Sequence, residues 1–171
     1  RPGDRIGISG SNSLAWVATA FAVLKCGCML CPMNERFVAS EFAYLTGFCE
    51  PALVVADAPR REILASTAGC PPLLALEDVE ACRDGAGDAG ADWRPVRVDA
   101  DTAAMMVFTS GSSGTPKGVM LSHREQLGKF FEMTLVAPEL GPQTQSLMPL
   151  SVQSAPGTAW GYLFSSVIGG T

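Results

Sequence analysis

Apolar positions along the chain fall into two periods, one suited to strands and one to helices. Arg5–Ser9 (RIGIS) reads as a short strand, and Asn12 or Ser13 is placed to cap the helix that follows. Leu14, Val17, Phe21 and Leu24 recur at helical spacing, with Lys25 in the last turn and Gly27 at the end. Cys28–Pro32 is a second short apolar strand. Ser40 then caps a helix carrying Phe42, Leu45 and Phe48, which Glu50 and Pro51 stop. Ala52–Ala56 (ALVVA) is a continuous apolar strand of the kind buried on both faces. Strand, helix, strand, helix, strand within sixty residues predicts a parallel α/β sheet flanked by helices, with right-handed crossovers.

Residues 60–82 hold a further helix and a short strand near Leu73–Leu76. Asp84–Pro95 (DGAGDAGADWRP) is poor in large apolar side chains and reads as a connection. Order resumes with an apolar strand at Ala104–Thr109, a run of small residues to Lys117, and a returning strand at Gly118–Leu121. Ser122 and Glu125 form a capping box for a helix bearing Leu127, Phe130, Phe131 and Leu135, which Pro138 ends. Gln145–Met148 reads as another strand. Pro156–Ile168 reads as a helix with Trp160, Leu163, Phe164, Val167 and Ile168 on one face, closed by Gly169 and Gly170. The organisation predicted is an α/β portion over 1–82, a connection over 83–102, and a second α/β portion over 103–171.

Composition narrows the class. Of 171 residues, 47% are hydrophobic and only 17% charged, which marks a globular chain. The net charge is −5, and no run of Lys or Arg offers a nucleic-acid surface. No apolar stretch reaches the about 18 residues that a membrane span requires. Nothing resembles a secretory leader, so the six cysteines read as reduced thiols of a cytoplasmic protein. Cys26, Cys28 and Cys31 lie close together but lack a neighbouring fourth ligand, and no metal site is predicted.

The chemistry concentrates in Thr109–Gly118. Gly111, Gly114 and Gly118 let backbone amides approach a ligand closely. Thr109, Ser110, Ser112, Ser113 and Thr115 supply hydroxyls, and Lys117 supplies the loop's one positive charge. Amides, hydroxyls and an ammonium, with no carboxylate among them, suit a polyphosphate. Arg124 and Lys129 add to a small basic island in an acidic chain. A Walker loop is excluded: Pro116 stands where its second glycine belongs, and Gly118 replaces the Ser or Thr that would bind magnesium. A flexible Gly/Ser linker is the plain alternative, but such a linker is not bracketed by two apolar strands.

The segment FTSGSSGTPKGVMLSH, residues 108–123, resembles the phosphate-loop signature of the adenylate-forming superfamily. That superfamily comprises acyl-CoA synthetases, nonribosomal adenylation domains and luciferases. Residues 1–34 resemble its opening block, and the order and spacing of the two blocks agree. The resemblance implies part of the large amino-terminal domain of such an enzyme, with its layered, parallel-rich sheets. It implies that Thr109, Ser110, Gly111, Ser112, Ser113, Gly114, Thr115 and Lys117 hold the β- and γ-phosphates of ATP, with Lys117 catalytic. The implied reaction uses ATP and Mg2+ to turn a small-molecule carboxylate into an acyl-adenylate. A thiol such as that of coenzyme A then takes the acyl group. Ser151 and Val152 follow Pro149 and Leu150 where many acyl-CoA synthetases have Phe-His. The superfamily's later motifs, its ribose-binding Asp and its carboxy-terminal lysine domain have no counterpart here. The chain therefore reads as an incomplete portion that needs the rest of the enzyme as its partner.

Two further residues have a functional and a plain reading. His123 is either near the nucleotide or substrate pocket or simply the first residue of a capped helix. Trp160 either lines that pocket with its helix or packs in the core. An amino-acid-activating domain and a non-catalytic module that kept the fold are the rival functions.

Overall fold

The structure, a computed structural model, describes residues 1–82, 94–109, 116–147, 149–154 and 156–170, apart from the side chains of residues 159–161. Arg5–Ser9 (β1) pairs in parallel with Met29–Pro32 (β2) on one side and Leu53–Ala56 (β3) on the other. Leu73–Ala75 (β4) adds in parallel outside β3, and Ala103–Thr109 (β5) outside β2. Lys117–Ser122 (β6) returns antiparallel along β5, so the order is β4-β3-β1-β2-β5-β6.

Side chains of a strand alternate between faces, and here they feed two cores. Ile8, Leu30, Val55 and Met105 point to one face, where they meet Leu14–Lys25 (α1), Leu76–Ala81 (α4), His123–Val136 (α5) and Phe164–Ile168 (α6). Met29, Cys31, Val54, Ala56 and Met106 point to the other, against Ala39–Cys49 (α2) and Ala58–Ala65 (α3). Helices cover both faces, as a parallel sheet requires.

The elements differ from the sequence reading in instructive ways. Ser13 caps α1, its hydroxyl accepting from Trp16 N at 3.1 Å, while Asn12 is used elsewhere. The buried face of α1 is Ala15, Trp16, Thr19, Ala20 and Val23. The predicted stripe is its flank: Leu14 is 68% exposed, and Val17, Phe21 and Leu24 are half-buried. A helix apolar nearly all round leaves its inward face undecided by period alone. Helix α2 starts one residue before the predicted cap, at Ala39, with Val38 at the cap position. Ser40 lies inside it, and the Glu41 carboxylate accepts from Val38 N at 2.9 Å. Leu76 opens α4 instead of closing β4.

Gln145–Leu147 form no strand, and Met148 lies outside the described residues. A turn at Gly141–Thr144 is closed by Thr144 N to Gly141 O at 2.9 Å, and Leu147 stands 93% exposed. Pro156–Ile168 is not one α-helix: Gly157–Leu163 is a π-helix and only Phe164–Ile168 is α. Thr158, fully buried, donates its hydroxyl to Val152 O at 2.6 Å and ties the start of the π-helix back to the preceding segment. Most of the connection Asp84–Pro95 falls outside the described residues, and Arg94 and Pro95 are irregular. Among the described residues no helix is long and apolar enough to cross a membrane.

Candidate functional site

In open parallel sheets, ligands gather beyond the carboxyl ends of the strands. Here that edge carries Gly10–Ser13 after β1, Asp57 after β3, and the turn between β5 and β6. The segment 150–154 folds over it. Asn12 Nδ2 donates to Leu150 O at 3.0 Å, and Asn12 Oδ1 accepts from Val152 N at 3.0 Å. The buried Gln153 amide donates to Gly10 O. Val152 is buried in the cluster that holds Trp16. Asp57 accepts from Ser11 N at 3.0 Å and pairs with Arg60 at 3.1 Å, so its charge is already engaged.

The β5–β6 turn is the sequence-predicted loop. Thr109 closes β5 and Lys117 opens β6, directly opposite each other. The Thr109 hydroxyl donates to Lys117 O at 3.4 Å. Between them, Ser110, Gly111, Ser112, Ser113, Gly114 and Thr115 lie outside the described residues. Lys117 is exposed and makes no ion pair among the described residues. Lys117 thus brings an exposed positively charged side chain to this edge, across from Thr109.

The base of the turn is held by α2. Tyr44 Oη donates to Pro116 O at 3.2 Å. Tyr44 stacks on Phe48, with centroids 6.1 Å apart, and Phe48 meets Phe108 edge-on at 6.3 Å. A Cβ on Gly118 would lie 2.8 Å from Phe48 Cε1 and 2.9 Å from Met106 Sδ. Neither Tyr44 nor this use of Phe48 was legible beforehand. Phe48 read as core, and nothing in a sequence links α2 to a turn seventy residues on.

His123 sits at the opposite end of β6 from Lys117, about 20 Å away at strand spacing. Its backbone N donates to Thr102 O at 3.1 Å as α5 begins. It borders an apolar cavity of about 230 Å³ with Phe21, Met105, Phe130, Leu163 and Val167. Trp160 lies within the π-helix, and its side chain is outside the described residues. The basic island does not assemble at the turn. Arg124 is beside His123, and Asp101 engages it through two bonds, of 2.6 and 3.2 Å. Among the described residues no three metal-ligating side chains converge.

A family model described as AMP-binding enzyme matches residues 1–171. Phosphinothricin tripeptide synthetase PhsC of Streptomyces viridochromogenes is 31% identical over 124 residues, 72% of this chain and 11% of that protein. The 3-[(3aS,4S,7aS)-7a-methyl-1,5-dioxo-octahydro-1H-inden-4-yl]propanoyl:CoA ligase of Rhodococcus jostii is 31% identical over 151 residues, 75% of this chain and 29% of that protein. The chain thus spans a minor part of the length of these relatives. Among solved structures, ATP-bound MatB from Rhodopseudomonas palustris has the same fold over 99% of this chain and 34% of its own, with a TM-score of 0.85 at 23% identity. VinN matches 99% of this chain and 45% of its own, with a TM-score of 0.88 at 23% identity.

Proposed function

We propose, for a chain that belongs to the AMP-binding enzyme family, that the β5–β6 turn grips the β- and γ-phosphates of ATP in an enzyme that activates a carboxylic acid. In this reading a carboxylate oxygen attacks the α-phosphorus, the bond from that phosphorus to the bridging oxygen breaks, and pyrophosphate leaves. A thiolate, that of coenzyme A in the leading case, then attacks the acyl carbon and expels AMP. Thr109, Lys117 and the residues from Ser110 to Thr115 hold the phosphates. Lys117 places its positive charge where negative charge builds on departing pyrophosphate. Magnesium arriving with the nucleotide would supply further positive charge to the phosphates that Lys117 and Thr109 face. His123, about 20 Å from Lys117, is assigned to the helix start and not to the phosphates.

The observation that carries the proposal is Lys117, exposed and without an ion pair among the described residues, directly opposite Thr109 at the carboxyl edge of the sheet. The Rhodococcus relative's name as a CoA ligase supports acyl transfer to coenzyme A. Similarity to a peptide synthetase favours amino-acid activation as the second reading. Six free thiols fit a cytoplasmic setting.

Calorimetric titration with Mg-ATP, comparing Lys117→Ala, tests the grip: the substitution should weaken ATP about 10-fold or more and spare AMP. Equal ATP affinity in both proteins would refute it. ATP–pyrophosphate exchange with pooled fatty acids or pooled amino acids separates the two readings. Turnover is expected of a polypeptide as long as the relatives, and robust exchange by these 171 residues alone would overturn that expectation.

A further inference from the structure

We infer that Tyr44 and Phe48 of α2 are positioning residues for the phosphate turn, fixing the backbone on both sides of Lys117. The inference rests on the reading of that turn as the ATP phosphate site.

The need for such residues follows from composition and topology. The turn is built from glycine, serine and threonine, whose backbone is costly to order. A binding loop that is not ordered in advance loses affinity by that cost. The hairpin cannot supply the order alone. Among the described residues β6 is the last strand of the sheet, hydrogen-bonded to β5 on one side only. At its first residues the edge needs support from another layer.

Helix α2 gives that support at consecutive residues. The carbonyl just before Lys117 receives the Tyr44 hydroxyl at 3.2 Å. The α-carbon just after it, in Gly118, lies against the Phe48 ring so closely that no Cβ fits without a shift. Phe48 also packs edge-on against Phe108, the cross-strand partner of Gly118. Tyr44 and Phe48 stack on each other at an interplanar angle of 21°, so one ring steadies the other. The Lys117 carbonyl accepts from Thr109, which leaves the Lys117 side chain as the part free to meet a ligand. A role in the core does not account for the pair. Phe42 and Leu45 of the same helix are fully buried, whereas Tyr44 is 39% and Phe48 49% exposed.

Kinetics in the full-length protein test the inference, with Tyr44→Phe as the informative variant because it keeps the stacking and removes only the hydroxyl. Its KM for ATP should rise about 3- to 10-fold, the range for loss of one hydrogen bond. Its melting temperature and its affinity for AMP, which lacks the β- and γ-phosphates, should stay at the wild-type values. Phe48→Leu should raise the KM for ATP further and again spare AMP. If Lys117→Ala weakens ATP while Tyr44→Phe leaves its KM unchanged, the positioning role is wrong and the phosphate turn stands. If neither variant affects ATP, the phosphate reading fails as well. Equal loss of ATP and AMP binding in Tyr44→Phe, or a matching fall in melting temperature, would show a structural role only and overturn the inference.

Discussion

Asn12 and Val152, 140 residues apart in the chain, are joined as strands are joined: the Asn12 side-chain oxygen accepts from Val152 N, and its nitrogen donates to Leu150 O. One amide thereby replaces a pair of backbone bonds and ties residues 150–152 to the loop after β1. Asn12→Ala should lower the unfolding free energy by about 1–2 kcal/mol, because it strands a half-buried N–H and a carbonyl. Asn12→Asp should not restore it, since a carboxylate accepts from Val152 but cannot donate to Leu150. Urea unfolding of the three proteins checks both statements.

Gly118 is glycine because Phe48 and Met106 occupy the room a Cβ would take. Gly118→Ala should cost about 1–3 kcal/mol through overpacking. Adding Phe48→Leu should recover part of the loss, since the shorter side chain withdraws the ring. A double-mutant cycle by thermal unfolding would read a coupling of about 0.5 kcal/mol or more. Simple additivity of the two changes would mean that the contact is relieved by movement elsewhere.

Glu125 closes the capping box of α5. Ser122 N donates to its carboxylate at 2.7 Å and Ser122 Oγ at 2.9 Å. These bonds, the backbone one foremost, hold its pKa below the ordinary 4.5. A depressed folded-state pKa makes the contribution of Glu125 fully present above the ordinary value and lost as pH falls through the folded one. Melting temperatures of wild type and Glu125→Gln, followed from neutral pH to about pH 3, should therefore differ at neutral pH and converge at the acid end. A gap that stays constant with pH would show that the carboxylate's charge does not matter.

The cysteines divide by burial. Cys26 and Cys82 are exposed, whereas Cys28, Cys31 and Cys49 are buried. A hydrogen bond to Cys49, and then burial, pushes the Cys31 thiol up. Burial does the same for Cys28. Brief alkylation of the native protein should modify Cys26 and Cys82 first, with Cys31 and Cys49 reacting only after denaturation. Peptide mass spectrometry reads the order directly, and early labelling of Cys31 would contradict the packing on that face of the sheet.

What the sequence disclosed follows the range of the forces involved. Strands β1, β2, β3 and β5 were legible because continuous apolar runs between turn residues have few alternatives. The box at Ser122 and Glu125 was legible because capping is a contact over three residues. The same local logic misplaced the start of α2, where Val38 provides no side-chain cap. It also proposed a strand at Gln145–Met148, of which the described part, Gln145–Leu147, forms none. The π-helix escaped because its apolar residues fit a 3.6-residue period nearly as well as a wider one. The Thr109–Lys117 end of the site was visible as a pattern. Asn12 and Tyr44 were not, because both act on residues far along the chain, and only the folded sheet brings them there.

The grip of α2 on Pro116 and Gly118 separates two properties that a motif search treats as one. On the reading proposed above, a descendant of this sequence that keeps every letter from Thr109 to Gly118 but exchanges Tyr44 and Phe48 loses the hold of α2 on both sides of Lys117. Spelling and support are inherited through different parts of the gene, and variation well upstream of the signature can alter how its described end, Pro116 to Gly118, is held.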